Sequence, residues 1–158
     1  MSRSLNLLHP LLLDKFFEFK KAMSEAGLDF IVTCTGRSIL EQIALYAQGR
    51  MDIFDVNKLR DVAGLPAIGS EYNKKVTWTL NSRHVINMFD SDLNNDYSRA
   101  FDIALEKYSR PHWNLKVDVN ENEIPDYEEA GRIGESVGLE WGGRWKHKDY
   151  VHFQLPGV

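Results

Sequence analysis

An α+β fold is what the sequence predicts: one small domain over residues 1–158, with helices packed against a central, mainly antiparallel sheet. Three observations lead there. Amphipathic helix patterns come early and again at residues 127–137, whereas the strand-like runs gather towards the second half instead of alternating with helices. The length of 158 residues suits a single domain large enough to fold around its own core without disulfides. A composition of 43% apolar, 11% aromatic and 27% charged residues is that of a soluble globular protein, and no internal repeat or low-complexity linker divides it.

Taken in order, Pro10 followed by Leu12, Leu13, Phe16, Phe19 and Met23 predicts a helix with proline in its first turn and Gly27 past its end. The lysines Lys15, Lys20 and Lys21 are diluted by Asp14 and Glu18 and read as a solvated face. Residues Phe30 to Thr35 are β-branched or aromatic and predict a strand; after the turn at Gly36-Arg37, Ser38 and Glu41 form a capping box for a second helix that Gly49 closes. Residues 51–75 mix Gly, Pro and Asn with short apolar pieces and predict short helical turns in a long connection. Val76 to Thr79 and Ala100 to Leu105 are strand candidates, Tyr127 to Val137 is a helix ending at Gly138, Leu139 to Trp141 starts a strand that breaks at Gly142-Gly143, and Tyr150 to Leu155 is the last strand.

Composition also excludes. The net charge of −4 offers no broad cationic field for nucleic acid. Cys34 is the only cysteine, so a cysteine-based zinc cluster is ruled out and a metal site has to draw on His, Asp and Glu. The apolar runs Leu7-Leu8 and Leu11 to Leu13 are too short and too interrupted for a membrane anchor or a signal peptide, which predicts a chain kept in the cytoplasm until something releases it.

Metal-assisted hydrolysis needs three protein ligands and a position left for water. His152 lies in Tyr150-Val151-His152-Phe153-Gln154, on the opposite strand face from Phe153, with Asp149 three residues earlier. Alone, such a histidine is more often structural. His84 follows a predicted strand, and Asp102 sits between Phe101 and Ile103, where a buried carboxylate calls for a metal or for a cation such as Arg37 or Arg99.

Together these blocks resemble the VanY-like zinc peptidases, a family of D-alanyl-D-alanine carboxypeptidases and phage L-alanyl-D-glutamate endopeptidases. The matching pieces are Ser82-x-His84, Ala100-x-Asp102 and Asp149-x-x-His152-Phe153-Gln154, with Thr35 to Ser38, Gln42, Leu45-Tyr46 and Gly49-Arg50 upstream, and Glu140-Trp141-Gly142-Gly143 with Trp145 before the last block. The family spaces its first histidine and its carboxylate by seven residues. Here His84 and Asp102 are eighteen apart, Ser98 stands in place of glycine, and an insertion from Val85 to about Asn95 brings Asp90 and Asp92 as rival ligands.

The resemblance implies zinc on His84, Asp102 and His152, Asp149 as the general base that takes the water's proton and passes it to the leaving amine, and Arg37 as the cation that binds substrate and steadies the developing oxyanion. Ser82 and Trp145 become candidate substrate contacts, each with a structural alternative, a turn cap for the first and packing for the second. The family places the zinc site in a surface cleft. Its phage members imply an endolysin: a monomeric, antimicrobial peptidoglycan hydrolase of a bacteriophage, held in the host cytoplasm until a holin-type partner opens the way to the periplasm and cell wall, where it cuts the stem peptide. A D,D-carboxypeptidase or dipeptidase, or a non-catalytic, metal-stabilised wall-binding module, are the alternative readings.

A second metal signal is the run Asp118 to Glu129. Asp118, Asn120, Asn122, Asp126 and Glu129 occupy the positions from which an EF-hand-type loop ligates calcium, although Glu123 stands where such loops carry glycine. The run Asp90 to Asp96 repeats the alternation but has Phe101 at the closing position, and reads as a surface loop. Cys34 reads as a buried small side chain, His9, His112 and His147 as loop residues, His147 with a place on the cleft wall in reach, and Trp141 as a ring for stacking on glycan or peptide or for packing in the core or cleft wall.

Overall fold

In the computed structural model, which describes residues 1–88 and 91–157 and only the backbone at Leu93 and Asn94, the predicted class is borne out. Helix α1 covers Pro10–Glu25, and its period-3.6 stripe of Leu12, Phe16, Phe19 and Met23 is buried. His9 is more than a loop residue: its Nδ1 accepts the Leu11 N–H at 3.2 Å and caps the helix. Strand β1 is Phe30–Cys34 and helix α2 is Ile39–Ala47, with the Ser38–Glu41 capping box formed in both directions.

Two expectations need correction. Residues Ile53–Val62 form a full helix, α3, in place of short turns, because Asp52 accepts the N–H groups of Phe54 and Asp55 and starts it. Only Val56 and Arg60 of this helix are buried, so its apolar pattern is faint. Val76 to Thr79 forms no strand. It is a strap with a bend at Trp78 whose polar groups bond elsewhere, Gln42 Nε2 donating to Thr77 Oγ1 and to the Thr79 carbonyl, and Arg50 to the Thr77 carbonyl. β-Branched residues supply strand propensity, but no neighbouring ladder receives them.

Strand β2 (Ala100–Lys107) turns through Tyr108 and Ser109, both at positive φ, into β3 (Arg110–His112), a short strand that the sequence pattern did not announce. Helix α4 (Asp126–Ser136), β4 (Glu140–Trp141) and β5 (His152–Gln154) follow. The sheet runs β1-β2-β5-β4, with β3 beside β2, and every pairing is antiparallel.

Register decides what each face carries. Phe101 pairs with Phe153 and Asp102 with His152, so successive residues send one pair into the core and the next to the other face. On the core face Phe101 and Phe153 stack with ring centroids 5.5 Å apart, and Phe19 of α1 approaches Phe153 to 4.9 Å. Helix α4 comes close enough to touch because Gly131 and Gly134 lack side chains: a Cβ would lie 2.3 Å from Trp141 and 2.5 Å from Phe153. Burying large apolar side chains at about 1.5–3 kcal/mol each makes this layer the anchor that can hold a polar row on the opposite face.

Candidate metal centre

That polar row is where the site begins. Cys34 of β1, Asp102 of β2 and His152 of β5 stand side by side, since Cys34 and His152 are the cross-strand partners of Asp102 in the two pairings. A register shift between Val32 and Cys34 lets β1 meet this row. His84 comes from a loop pinned to the segment after β1: the Arg37 N–H donates to the His84 carbonyl at 2.9 Å, and the Ile86 N–H donates to the Arg37 carbonyl at 3.0 Å. Ser82 Oγ accepts the His84 N–H at 3.3 Å, which is the turn-cap role.

The eighteen-residue gap between His84 and Asp102 is bridged at its base. The Arg99 N–H donates to the Arg83 carbonyl at 2.8 Å, and Ser98 Oγ donates to the same carbonyl at 3.3 Å, so the inserted residues leave and return at one point. Of the rival carboxylates, Asp92 does not line the cleft and Asp90 lies outside the described residues.

Three donor atoms converge. His84 Nε2 lies 3.0 Å from Asp102 Oδ1, His152 Nδ1 lies 2.9 Å from the same oxygen, and the two nitrogens are 3.2 Å apart. Ligands on a tetrahedral zinc ion at its usual bond lengths of roughly 2.0–2.1 Å are about 3.3 Å apart, so two imidazoles and one carboxylate at these separations fit such an ion. Outer contacts fix which nitrogen faces inward. Gln154 Oε1 accepts from His152 Nε2 at 3.0 Å, which leaves Nδ1 to face the centre. His84 Nδ1 lies 3.7 Å from Cys34 Sγ, which leaves Nε2 for the centre.

Cys34 therefore does not stand apart from the site, as the sequence suggested. Its Sγ and donor atoms of His84 and Asp102 lie within 4.8 Å of one another. One imidazole cannot aim both nitrogens at one ion, and burial pushes the thiol up to about 11, away from the thiolate that binds metal. Cys34 backs His84.

The charges are coupled. Burial would raise Asp102, but the charges and hydrogen bonds of His84 and His152 hold its carboxyl far below the usual carboxylate range. Burial lowers His84. It would lower His152 as well, but hydrogen bonding and attraction to Asp102 outweigh it and raise that imidazole. Asp102 also meets Arg37 Nη2 at 3.5 Å, the pairing with Arg37 that the sequence left open. Arg37 is oriented from its other side by Gln42 Oε1 at 3.2 Å.

These groups form part of the wall of an open cleft of about 660 Å³, which Asp149, Ser82 and Trp145 also line. Asp149 is accessible from the cleft mouth, yet the protein around it and the nearby Asp102 raise its pKa, an environment that suits a proton acceptor. Gly142 is needed beside it, because a Cβ there would sit 2.5 Å from the Asp149 carbonyl oxygen. Trp145 packs its ring 4.9 Å from that of His152 and donates to Glu140.

Sequence reasoning missed three participants. Gln154 shares a face with His152, and its spacing of two was the available signal. Cys34 needed the β1 register. Trp78 of the strap stacks on His147 at 4.6 Å across the cleft, a tertiary contact without a sequence signature.

The acidic loop is organised differently. Asp118 accepts the N–H groups of Asn122 and Glu123, Asp126 accepts that of Val119, and Asn120 donates to Glu129. Among the described residues, the three-donor group of His, Cys and Asp that forms around His84 has no counterpart recorded at Asp118, Asp126 and Glu129, whose oxygens are taken up by the bonds just given.

Three convergent donors on the sheet beside an open cleft are the arrangement that metal-dependent hydrolysis requires. Comparison with known proteins agrees. The sequence model of a family described as D-alanyl-D-alanine carboxypeptidase matches residues 94–155. The peptidoglycan L-alanyl-D-glutamate endopeptidase CwlK of Bacillus subtilis (strain 168) is 29% identical over 150 residues, covering 94% of this chain and 73% of that protein. The crystal structure of the Serratia marcescens L-Ala D-Glu endopeptidase ChiX shares the fold at a TM-score of 0.54 and 20% identity, covering 98% of this chain and 86% of that one. The sequence matches support a metallopeptidase and agree with the resemblance to the VanY-like zinc peptidases read from the sequence, and the structural match shows a shared fold.

Proposed function

We propose that this enzyme hydrolyses the L-alanyl-D-glutamate bond of the peptidoglycan stem peptide, with zinc held by His84, Asp102 and His152. The convergence of those three donors within 2.9–3.2 Å of one another carries the reading, and the relatives named for this bond supply its substrate. When bound, zinc supplies Lewis-acid polarisation and makes water a stronger acid. Asp149 takes a proton from the attacking water and delivers it to the leaving amine nitrogen. Arg37, fixed between Gln42 and Asp102, presents a permanent charge to the substrate carbonyl and favours the transition state as negative charge grows on oxygen. Trp145 holds the His152 ring and, with Ser82, forms cleft wall against which the peptide lies.

Product analysis on defined muropeptides tests the bond. The expected product carries a new amino terminus on D-glutamate; release of free D-alanine would assign a D,D-carboxypeptidase instead. An Asp149→Ala protein that keeps full lytic effect would assign a binding module.

The endolysin setting extends the same proposal: a monomer made in a bacteriophage host, passed to the wall by a holin-type partner, with antimicrobial use against exposed walls. Its support is the phage-like Glu140 to Trp145 block, and among the described residues no helix is long and apolar enough to cross a membrane. Expression in a bacterial host with and without a holin tests it, with lysis expected only in the first case. Calcium at Asp118, Asn120, Asn122, Asp126 and Glu129 is proposed as a weak, loop-ordering site. Glu123 adopts the left-handed φ of 69° in the place of the customary glycine, which favours it. Binding then requires the carboxylates to leave their backbone partners.

A further inference from the structure

Beside the metal cleft lies a second pocket of about 270 Å³. The two share Asn81, Ser82 and Arg83 as a common wall, so a chain lying across the metal centre can continue into it. Arg99 lines the second pocket, while Arg83 stands at the junction. The backbone bond from Arg99 N–H to the Arg83 carbonyl holds the two residues next to each other.

The two arginines are half-buried, and neither side chain has an ion-pair or hydrogen-bond partner among the described residues. By contrast, the Arg37 guanidinium meets Asp102 and donates to Gln42, and that of Arg50 donates to two backbone carbonyls. Two adjacent guanidinium forks withdrawn from part of their water favour a planar anion that can accept paired hydrogen bonds. The tyrosine ring of Tyr97 and the carboxamide of Asn95 complete a wall suited to a peptide and too small for a folded domain.

We propose that this second pocket is a distal subsite that takes a carboxylate-bearing residue of the peptide substrate, gripped by Arg83 and Arg99, while the bond to be cut lies at the metal centre. The proposal rests on the peptidase reading and deepens it. The enzyme selects acidic peptides, and the inserted residues between His84 and Asp102 create that selectivity, because their closure at Arg83 and Arg99 builds the pocket.

Calorimetry on zinc-loaded Asp149→Asn protein tests the subsite. The probes are L-alanyl-γ-D-glutamyl-diaminopimelic acid and the same tripeptide with its diaminopimelate carboxyls as carboxamides. The acid is expected to bind about tenfold more tightly than the amide, as charge-assisted hydrogen bonds require, and rising salt is expected to narrow the ratio. Arg99→Gln in the same background is expected to bring the ratio to about one, and Arg99→Lys to restore part of it. Amide binding by each variant serves as its folding control. Equal binding of acid and amide by the parent, or a ratio untouched by Arg99→Gln, overturns the subsite. If the unmodified enzyme cuts neither tripeptide while the ratio holds, the bond assignment fails and the subsite stands. If it cuts both while the ratio is one, the subsite fails and the peptidase reading stands.

Discussion

The chain carries two clusters rich in metal-binding residues, and they are built in opposite ways. At the centre, Asp102 and His152 are cross-strand partners on a sheet whose other face is clamped by Phe19, Phe101 and Phe153. Backbone groups there are satisfied by the ladder, so the side chains are free to face one another. In the 118–129 loop there is no ladder, and Asp118 and Asp126 spend their oxygens on backbone N–H groups. A motif supplies donor types; only an element that meets its own hydrogen-bonding needs leaves those donors pointing at an ion.

The widest separation between the two regions is expected from Asp102→Ala. Zinc affinity should fall by more than about a hundredfold, since even outer contacts to a ligand are worth about ten- to a hundredfold, and hydrolysis should fall to background. Metal content and turnover measured on the same sample check it, and retention of both would break the contrast. Asp149→Ala is expected to lower kcat by about 10²- to 10⁴-fold with zinc content unchanged, which separates proton transfer from metal holding.

A smaller effect concerns pH. In metal-free protein the raised His152 favours the native state fully below its ordinary value of about 6.5, and that contribution is lost as pH rises through the raised value. Zinc needs the neutral imidazole, so its stabilisation grows over the same interval. Thermal melting from about pH 6.5 upwards should therefore show a falling Tm without zinc and a widening zinc-dependent gain; parallel curves would contradict it. The smallest effect belongs to the loop. Millimolar calcium should raise the Tm of zinc-loaded protein by only about 2–4 °C, equivalent to about 1 kcal/mol, and Glu129→Gln should remove the rise.

Much of the centre was legible because strand alternation is local. Phe101-Asp102-Ile103 and His152-Phe153-Gln154 announce which side chain leaves the core, and the order of the blocks supplied the remaining donor. The eighteen-residue spacing looked like an obstacle only because sequence distance cannot show a loop closed at Arg83 and Arg99. Helix α3 was missed since its exposed Phe54 and Val62, each 67% accessible, blur the apolar stripe. The strap at 76–79 was misread since β-branched residues without a partner strand still look like one. Cys34 and Trp78 gain their places through register and long-range packing, which no short window contains.

Diffraction from crystals of the purified enzyme on either side of the zinc absorption edge tests the central claim most directly. One anomalous peak is expected, bounded by His84 Nε2, Asp102 and His152 Nδ1. Its absence from zinc-loaded crystals, or a peak ligated by Cys34 or by an aspartate of the inserted loop in place of Asp102, would contradict it.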